Sequence, residues 1–143
     1  MVQVQDVMSP EIPSISPQAT LREAAERMSM LNVSTLFVIE GGRLAGVIGL
    51  RDLFTVPIPA HYPGAALRQR DLVQFRQTWE NSPVKHLMNE NLLTVTEETP
   101  VLKAAEIMIN SGKHPLPVVR AGQVVGVVTR MAIVRAILES QTV

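Results

Sequence analysis

The sequence predicts a mixed α/β (α+β) fold, built from two β-α-β-β-α repeats that pack with pseudo-two-fold symmetry. The first observation is an internal repeat, because a shift of 80 residues aligns 4–54 with 84–134 without a gap. The second is that each aligned half carries an apolar stripe at helical spacing, followed by two apolar runs around a glycine-containing turn. A repeat of about 50 residues buries too little apolar surface to be stable alone. We therefore expect the two repeats to share one core, with a cleft between their sheets.

Identical residues at equivalent positions support the repeat, and most of them are apolar or glycine. These pairs are Val4/Val84, Met8/Met88, Ala24/Ala104, Ala25/Ala105, Glu26/Glu106, Met28/Met108, Leu36/Leu116, Val38/Val118, Gly42/Gly122, Gly46/Gly126 and Val47/Val127. The pattern places repeat one at 1–56 and repeat two at 83–143, with a partly helical insert at 57–82.

Each repeat is predicted to begin with a short helical turn. This turn ends at Val7-Met8 in repeat one and at Leu87-Met88 in repeat two. Ser82 and Pro83 lie where the N-cap and the first helical residue of the second turn belong, since serine caps helices and proline is tolerated at their first position.

A short extended segment and a helix follow in each repeat. The extended segments lie around Ser14-Ile15 and Thr94-Val95, and Pro100 lies near the start of the second helix. In repeat one, Thr20 and Glu23 have the spacing of a capping box. The apolar stripes of the two helices are Leu21, Ala24, Ala25, Met28 and Leu31, and then Val101, Ala104, Ala105 and Met108. Their small alanines would let each helix approach its sheet or a partner helix closely.

Two strands come next in each repeat, with turns at Gly41-Gly42 and at Ala121-Gly122. These strands are apolar almost throughout, so we expect them to be buried on both faces. A last helix begins at Arg51 in repeat one and at Arg130 in repeat two. The four strands are predicted at 35–39, 44–48, 116–119 and 124–128.

The insert between the repeats has two parts. Three prolines keep its first part extended or turning, namely Pro57, Pro59 and Pro63. From Gly64 the spacing predicts a helix, on which Leu72, Phe75 and Trp79 share one face. Its arginines, Arg68, Arg70 and Arg76, would face solvent or a partner. We interpret the insert as a surface connector whose aromatic stripe covers the core, and a partner-binding or lid role is the alternative.

Composition limits the classes of function. The 143 residues include 13 basic and 13 acidic side chains without a basic block, which argues against nucleic acid as the main partner. The chain has no cysteine, and this excludes disulfides, thiol nucleophiles and thiolate metal sites. No apolar run approaches the roughly 18 residues that a membrane helix needs. The N-terminus lacks the features of a secretory signal, so we expect a cytoplasmic protein without a membrane partner.

The motifs of both repeats resemble those of the cystathionine β-synthase-type (CBS) domain. Repeat one contains V-Q-D-V-M-S-P, A-A-E-R-M, V-S-T-L-F-V-I and G-G-R-L-A-G-V-I-G-L-R-D-L. Repeat two contains H-L-M, A-A-E-I-M, K-H-P-L-P-V-V and A-G-Q-V-V-G-V-V-T-R. The resemblance covers the chain except for the insert and the C-terminal tip. It implies a tandem CBS pair, and such pairs commonly dimerise into a flat disc and bind adenine nucleotides or related adenosyl compounds in clefts between the repeats.

The chemistry of an adenosine ligand matches the junctions between strand and helix. A carboxylate at such a junction can accept hydrogen bonds from both ribose hydroxyls. A serine or threonine three residues earlier can reach ribose or phosphate, and the free N–H groups at a helix start favour anions. The family pattern that the resemblance implies is G-x-x-(T/S)-x-x-D.

Each junction of this chain keeps half of that pattern. The first junction, Gly46–Asp52, has the carboxylate of Asp52 but a glycine in place of the hydroxyl. The second junction, Gly126–Ala132, has the hydroxyl of Thr129 but an alanine in place of the carboxylate. We therefore expect Asp52 to favour ribose, and Thr129 with Arg130 to favour phosphate.

The resemblance also implies which residues would form each ligand site. One site would join Arg51 and Asp52 with Leu93, Thr94 and Lys113. The other would join Thr129 and Arg130 with Pro13, Ser14, Val33 and Ser34. His114 would lie centrally and could contact phosphate at either site. The structural alternatives are that Asp52 is only a helix N-cap, that Thr129 is a buried strand-end hydroxyl bonded to backbone, and that Lys113 and His114 belong to a solvated loop before a strand.

Enzyme motifs are absent from the sequence. It contains no G-x-S-x-G, no G-x-x-x-x-G-K-(S/T) and no G-x-G-x-x-G. The three histidines, His61, His86 and His114, show no ligand spacing with one another. His86 and Glu90 are four residues apart, but Asn89 and Asn91 indicate that the helix ends there. We therefore predict no catalytic residue, no metal site and no catalytic cofactor.

The sequence thus predicts a free-standing regulatory module that senses an adenine nucleotide (AMP, ADP, ATP or a related adenosyl compound), as an energy sensor does. It would be a homodimer and would act through an effector protein. The alternative is a structural or interaction module, in which decayed nucleotide sites leave a constitutive oligomer or adaptor.

Overall fold

The structure is a computed structural model that describes residues 1–55 and 69–140, with only the backbone of 69–71. Within these ranges the chain is mixed α/β, as the repeat pattern predicts. The α-helices are α1 (Leu21–Leu31), α2 (Gln69–Glu80), α3 (Val101–Ser111) and α4 (Arg130–Glu139). The strands are β1 (Ser14–Ile15), β2 (Thr35–Glu40), β3 (Arg43–Gly49), β4 (Leu116–Arg120) and β5 (Gln123–Val128). Short 3₁₀ helices span Val4–Asp6, Leu50–Phe54 and Val84–His86.

The chain divides into two compact units whose boundaries differ from those of the sequence repeats. The N-terminal unit comprises Pro13–Gly41 and Ala45–Glu90. The C-terminal unit comprises Met1–Ile12, Gly42–Leu44 and Asn91–Val143. Each unit therefore combines most of one repeat with a segment of the other, and each has its own apolar core.

The 3₁₀ helices that begin the repeats show this exchange. Val4 belongs to repeat one, yet it is fully buried in the core that also contains Val101 and Val118. Val84 belongs to repeat two, yet it is fully buried in the core of the N-terminal unit. Its 3₁₀ helix has Pro83 as the N-cap residue, so the prediction that Ser82 caps this turn is wrong by one position. The hydroxyl of Ser82 instead donates to the Thr78 carbonyl (2.8 Å).

Helix α1 begins and ends where its local sequence dictates. The Thr20 side chain accepts a hydrogen bond from the Glu23 N–H (3.1 Å), which satisfies one of the free donors at the helix start. Three residues of the predicted stripe, Leu21, Ala24 and Met28, are buried. Leu31, the last residue of the helix, is exposed, and the chain leaves the helix at Asn32 in the left-handed conformation (φ 55°). The prediction that Leu31 continues the buried stripe is therefore wrong.

The insert helix α2 packs on the N-terminal unit with only part of its predicted face. The predicted start at Gly64 lies outside the described residues, as do the three prolines. Trp79 packs against the core, and its ring meets that of Phe75 edge to face with centroids 5.6 Å apart. Leu72, which was predicted to share their face, is exposed, so the part of this face that packs on the core is Trp79, with Phe75 against its ring.

The strands of the N-terminal unit run in the order β1-β2-β3, with β1 parallel to β2. Ser14 pairs with Phe37 in the register of β1 and β2. Gly41 and Gly42, which connect β2 and β3, both have positive φ as the predicted turn requires (59° and 80°). β2 is buried at three consecutive residues, as expected for a strand covered on both faces. β3 instead alternates between buried and half-buried residues toward its end, so burial on both faces is wrong for this strand.

The C-terminal unit repeats the plan around α3, β4 and β5. β4 and β5 are antiparallel, and Arg43 at the start of β3 pairs with Gln123. Val95 forms a single parallel bridge with Val118, so the predicted extended segment at Thr94-Val95 is shorter than a strand. Three stripe residues of α3 are buried, namely Val101, Ala104 and Met108. None of the described helices has the length and apolar character needed to cross a membrane.

Candidate functional site

The first junction ends in a tight turn whose carboxylate is partly engaged. After β3 the chain forms the 3₁₀ helix Leu50–Phe54 and not the longer helix predicted from Arg51. The half-buried Asp52 lies in its first turn, and Oδ2 accepts a hydrogen bond from the Gly49 N–H (2.7 Å). Gly49 is the N-cap residue and Asp52 is the third residue of the helix, so the alternative that Asp52 is the N-cap is wrong, although its carboxylate satisfies the Gly49 N–H. An ionised carboxylate has about four lone-pair positions, so one bond leaves capacity for ribose hydroxyls.

Four predicted site residues lie beside or near this junction in the N-terminal unit. The Ser34 carbonyl accepts a hydrogen bond from the Leu50 N–H (2.8 Å), which joins the start of β2 to the start of the 3₁₀ helix. Ser34 is exposed and Val33 is half-buried. The half-buried Pro13 and Ser14 flank the other side of β2, where the Pro13 carbonyl accepts from the Phe37 N–H (2.8 Å). Arg51 is exposed.

Trp79 forms a hydrogen bond to the 3₁₀ helix Leu50–Phe54, and this role was not predicted from the sequence. Its ring Nε1–H donates to the Leu53 carbonyl (2.9 Å), so the insert helix supports the segment that carries Asp52. The i, i+4 spacing of Phe75 and Trp79 was the available signal for a packed aromatic pair. This spacing could not predict that the Leu53 carbonyl accepts the hydrogen bond, because every residue has a backbone carbonyl.

The second junction is capped in the opposite direction. Thr129 is the N-cap of α4, and its Oγ1 accepts a hydrogen bond from the Ala132 N–H (3.1 Å). The hydroxyl bonds to backbone, as the structural alternative for Thr129 supposed. The residue is exposed, however, so its predicted burial at the strand end is wrong. Because the oxygen accepts this bond, the hydroxyl hydrogen is left to donate to a ligand.

His114 lies near Arg130, the residue that follows Thr129 at the second junction. Burial, and then the positive charge of Arg130, lower the pKa of His114 from its usual 6.5. The imidazole and the guanidinium are therefore close enough to repel each other when both are charged. Lys113 is half-buried, and its Nζ donates to the Asn91 carbonyl (2.5 Å), which ties this loop to the segment before the exposed Leu93 and Thr94.

The twelve predicted site residues therefore form two groups of different charge. The N-terminal unit carries Asp52 with Arg51 beside it, and the C-terminal unit carries Lys113, His114 and Arg130. The pairing of residues from one unit with those of the other stays a prediction. Across residues 1–55 and the described part of 69–140, no group of three or more His, Cys, Asp or Glu side chains could hold a metal ion.

A comparison with protein families and curated proteins agrees with the repeat analysis. The model of the family described as CBS domain matches this chain twice, at residues 4–58 and 84–139. An uncharacterized 17.7 kDa protein of Acidianus ambivalens is 30% identical over 141 residues, which are 97% of this chain and 75% of that protein.

Solved structures share the fold along nearly the whole chain. The CBS-pair protein CBSX2 from Arabidopsis thaliana is 27% identical with a TM-score of 0.80, over 96% of this chain and 94% of that one. A structure of CBSX2 in complex with AMP is 26% identical with a TM-score of 0.77, over 97% of this chain and 98% of the other.

Proposed function

This chain belongs to the CBS domain family, and from that premise we propose that it is a regulatory module that binds an adenine nucleotide or a related adenosyl compound. The main observation behind this proposal is the Asp52 carboxylate, which lies at a strand-to-helix junction. It accepts a hydrogen bond from the Gly49 N–H and can accept further hydrogen bonds from a ligand. A ribose presents two adjacent hydroxyl donors, which one carboxylate can bind together. The complex of the similar CBSX2 with AMP supports this ligand class.

The second junction, in the C-terminal unit, suits the phosphate group of a ligand bound at a site of its own. Thr129 retains a hydroxyl hydrogen, and Arg130 with Lys113 supplies fixed positive charge. Repulsion between Arg130 and His114 would be relieved by a phosphate, because an anion between the two groups attracts both. The N–H groups in the first turn of α4 favour an anion as well. We therefore propose two separate sites, of which the first favours the ribose of its ligand and the second favours the phosphate.

Regulation would follow from preferential binding to one conformational state. A ligand that binds one state more tightly than another shifts the protein toward that state, and an effector protein would then recognise it. The site groups are suited to holding a ligand, and none is paired as a nucleophile with a base. The module would therefore act through its effector. We further propose that it works as a homodimer in the cytoplasm.

A second candidate is an interaction module without a ligand. It is favoured by the use of both junction side chains in capping, since Asp52 bonds to Gly49 and Thr129 bonds to Ala132. Each junction also lacks half of the family pattern, at Gly49 and at Ala132. A chain that kept these two side chains only for capping would form the same turns and would bind no nucleotide.

Isothermal titration calorimetry separates the two candidates. The chain is titrated in turn with AMP, ADP, ATP and S-adenosylmethionine. We expect saturable heat with micromolar affinity for at least one of them. If none of the four compounds gives a heat of binding, the sensor is rejected and the interaction module is favoured.

A further inference from the structure

Three backbone hydrogen bonds join the segment that follows helix α2 to the residues at and just before the start of α1. The Val84 N–H donates to the Ala19 carbonyl (2.7 Å), and the Leu21 N–H donates to the Ser82 carbonyl (2.8 Å). The third bond joins the Lys85 N–H to the Pro17 carbonyl (3.0 Å). These bonds fix the segment directly after α2 against the start of α1.

The same three bonds recur in the C-terminal unit at positions 80 residues away. They are Val4 N–H to Thr99 carbonyl (2.8 Å), Val101 N–H to Val2 carbonyl (3.1 Å) and Gln5 N–H to Glu97 carbonyl (3.0 Å). Val2 therefore occupies the position of Ser82, and the start of α3 occupies that of the start of α1. This equivalence allows the surfaces beside the two helix starts to be compared residue by residue.

In the N-terminal unit, the last turn of α2 covers this surface. Glu80 forms an ion pair with Arg22, which lies in the first turn of α1. Trp79 packs on the apolar core and donates to the Leu53 carbonyl (2.9 Å). The cover is thus an amphipathic helix with an indole and a carboxylate in its last turn.

In the C-terminal unit, the equivalent surface is an open apolar groove of about 650 Å³. Its lining includes Val2, Val101, Leu102, Ala136, Ile137 and Ser140. Leu102 is 67% exposed and Ile137 is 54% exposed, so large apolar side chains face solvent here. The Ser140 hydroxyl donates to the Ile137 carbonyl (2.7 Å), which leaves the groove with little polar character. Leu102 stands in the place of Arg22.

We propose that this groove binds an amphipathic α-helix of a partner protein, which packs on the start of α3 as α2 packs on the start of α1. The helix would carry a bulky aromatic side chain in its last turn, at the position equivalent to Trp79. Because Leu102 replaces the cation that pairs with Glu80, the partner needs an apolar residue at the position equivalent to Glu80. A carboxylate there would lose its hydration against Leu102 without gaining a partner.

The test uses a peptide with the sequence of residues 69–82 and the change Glu80→Leu. A hydrocarbon staple on its polar face keeps it helical, because helices of this length are marginal in water. Fluorescence anisotropy of the labelled peptide is measured against the full chain. We expect saturable binding that weakens about tenfold or more for chain variant Leu102→Glu, since the charge would be buried under the helix. The same peptide with Trp79→Ala should also bind at least about tenfold more weakly.

A matched control variant lies on the same helix. Ile109→Glu changes an exposed α3 residue (81%) that does not line the groove, and it should bind the peptide like the unchanged chain. Ile137→Glu, on α4, is a second variant in the groove in case Leu102→Glu unfolds, and circular dichroism reports folding.

Three results would overturn the proposal. The first is the absence of saturable binding. The second is unchanged affinity of a folded Leu102→Glu or Ile137→Glu chain, which would indicate that the peptide exchanges with α2. The third is a dimer in sedimentation that Leu102→Glu converts to a monomer, together with no peptide binding, which would assign the groove to a second copy. The proposed helix binding does not require a nucleotide, so it would still hold if the calorimetric titrations showed no nucleotide binding.

Discussion

The two strand-to-helix junctions begin alike and are capped in opposite directions. At the first junction, Asp52 reaches back along the chain to the Gly49 N–H (2.7 Å), and the helix that follows is a 3₁₀ helix of five residues. At the second junction, Thr129 reaches forward to the Ala132 N–H (3.1 Å), and α4 continues for ten residues. One polar side chain is thus enough to start the helix at either junction.

This difference explains how each junction could lose half of the family pattern and still fold. The side chain that remains satisfies a free N–H group at the helix start, so the missing one is not needed for capping. The two remaining groups differ as ligand contacts, however. The Asp52 carboxylate can only accept from a ligand when ionised, whereas the Thr129 hydroxyl can still donate to one.

The change Asp52→Ala should have the largest effect on ligand binding. Two charge-assisted hydrogen bonds to ribose contribute about 1.5–3 kcal/mol each. Their loss should weaken binding at the first junction by about a hundredfold or more, measured by calorimetry. Binding at the second junction should be unchanged, and equal loss at both would contradict the assignment.

Asp6→Ala is the matched control for this variant. The Asp6 carboxylate accepts from the Gln3 N–H (2.8 Å) and so caps another 3₁₀ helix in the same way. Both variants lose a capping bond, but only Asp52→Ala should lose ribose binding. Similar losses of affinity in the two variants would mean that Asp52 acts through stability alone.

The glycines that begin the junctions should differ in their tolerance of alanine. A Cβ at Gly126 would lie 2.8 Å from the Ser9 backbone oxygen, and two hydrogen bonds between Ser9 and Val127 (2.8 and 2.9 Å) hold that backbone in place. A Cβ at Gly46 would lie 2.7 Å from Sδ, 2.8 Å from Cγ and 3.0 Å from Cβ of Met88. A change of rotamer can move the first two atoms away, so only the milder contact with the Met88 Cβ has to be relieved by the backbone. Gly126→Ala should therefore lower the free energy of unfolding by about 1–3 kcal/mol, and Gly46→Ala by less.

Urea denaturation measures this contrast. The midpoint should fall further for Gly126→Ala, while the dependence on urea concentration stays the same in both variants. Equal midpoints would show that the Ser9 backbone yields as readily as the Met88 side chain.

The forward cap of the second junction should have a smaller effect on stability. Thr129→Ala leaves the Ala132 N–H without its side-chain acceptor, which should lower the free energy of unfolding by about 1 kcal/mol. Thr129→Ser keeps the hydroxyl and should restore most of the difference in urea denaturation. If Thr129→Ser is as unstable as Thr129→Ala, the methyl group matters more than the cap.

Local patterns predicted the features that depend on residues close in sequence. The capping of α1 by Thr20 and the glycine turn between β2 and β3 follow from side chains within a few positions. The exchange of Val4 and Val84 between the two cores could not be predicted, because the repeat period fixes what each segment resembles and not which core it joins. Leu31 and Leu72 fit helical stripes, yet the neighbouring elements leave them exposed.

The candidate site shows the same limit. The motif pattern named Asp52 and Thr129, but not the direction in which each one caps. The Asn91 and Leu53 carbonyls, which hold Lys113 and Trp79, are backbone groups that every residue has. Their selection depends on the fold, so no residue type could indicate it.

The smallest predicted effect is the pH dependence that His114 gives to the second junction. Burial and the charge of Arg130 lower the pKa of His114 below 6.5, so the unfolded chain binds a proton at a higher pH than the folded chain does. Its contribution to stability is therefore complete above 6.5 and is lost as the pH falls through the lower pKa of the folded state. The chain should lose more stability than variant His114→Gln between about pH 7 and pH 5, measured by urea denaturation.

Arg130→Gln should shift the His114 pKa upward, and NMR titration of the imidazole measures this shift. If the second junction binds phosphate, AMP should shift that pKa upward as well, and an unchanged titration with AMP bound would place its phosphate away from His114.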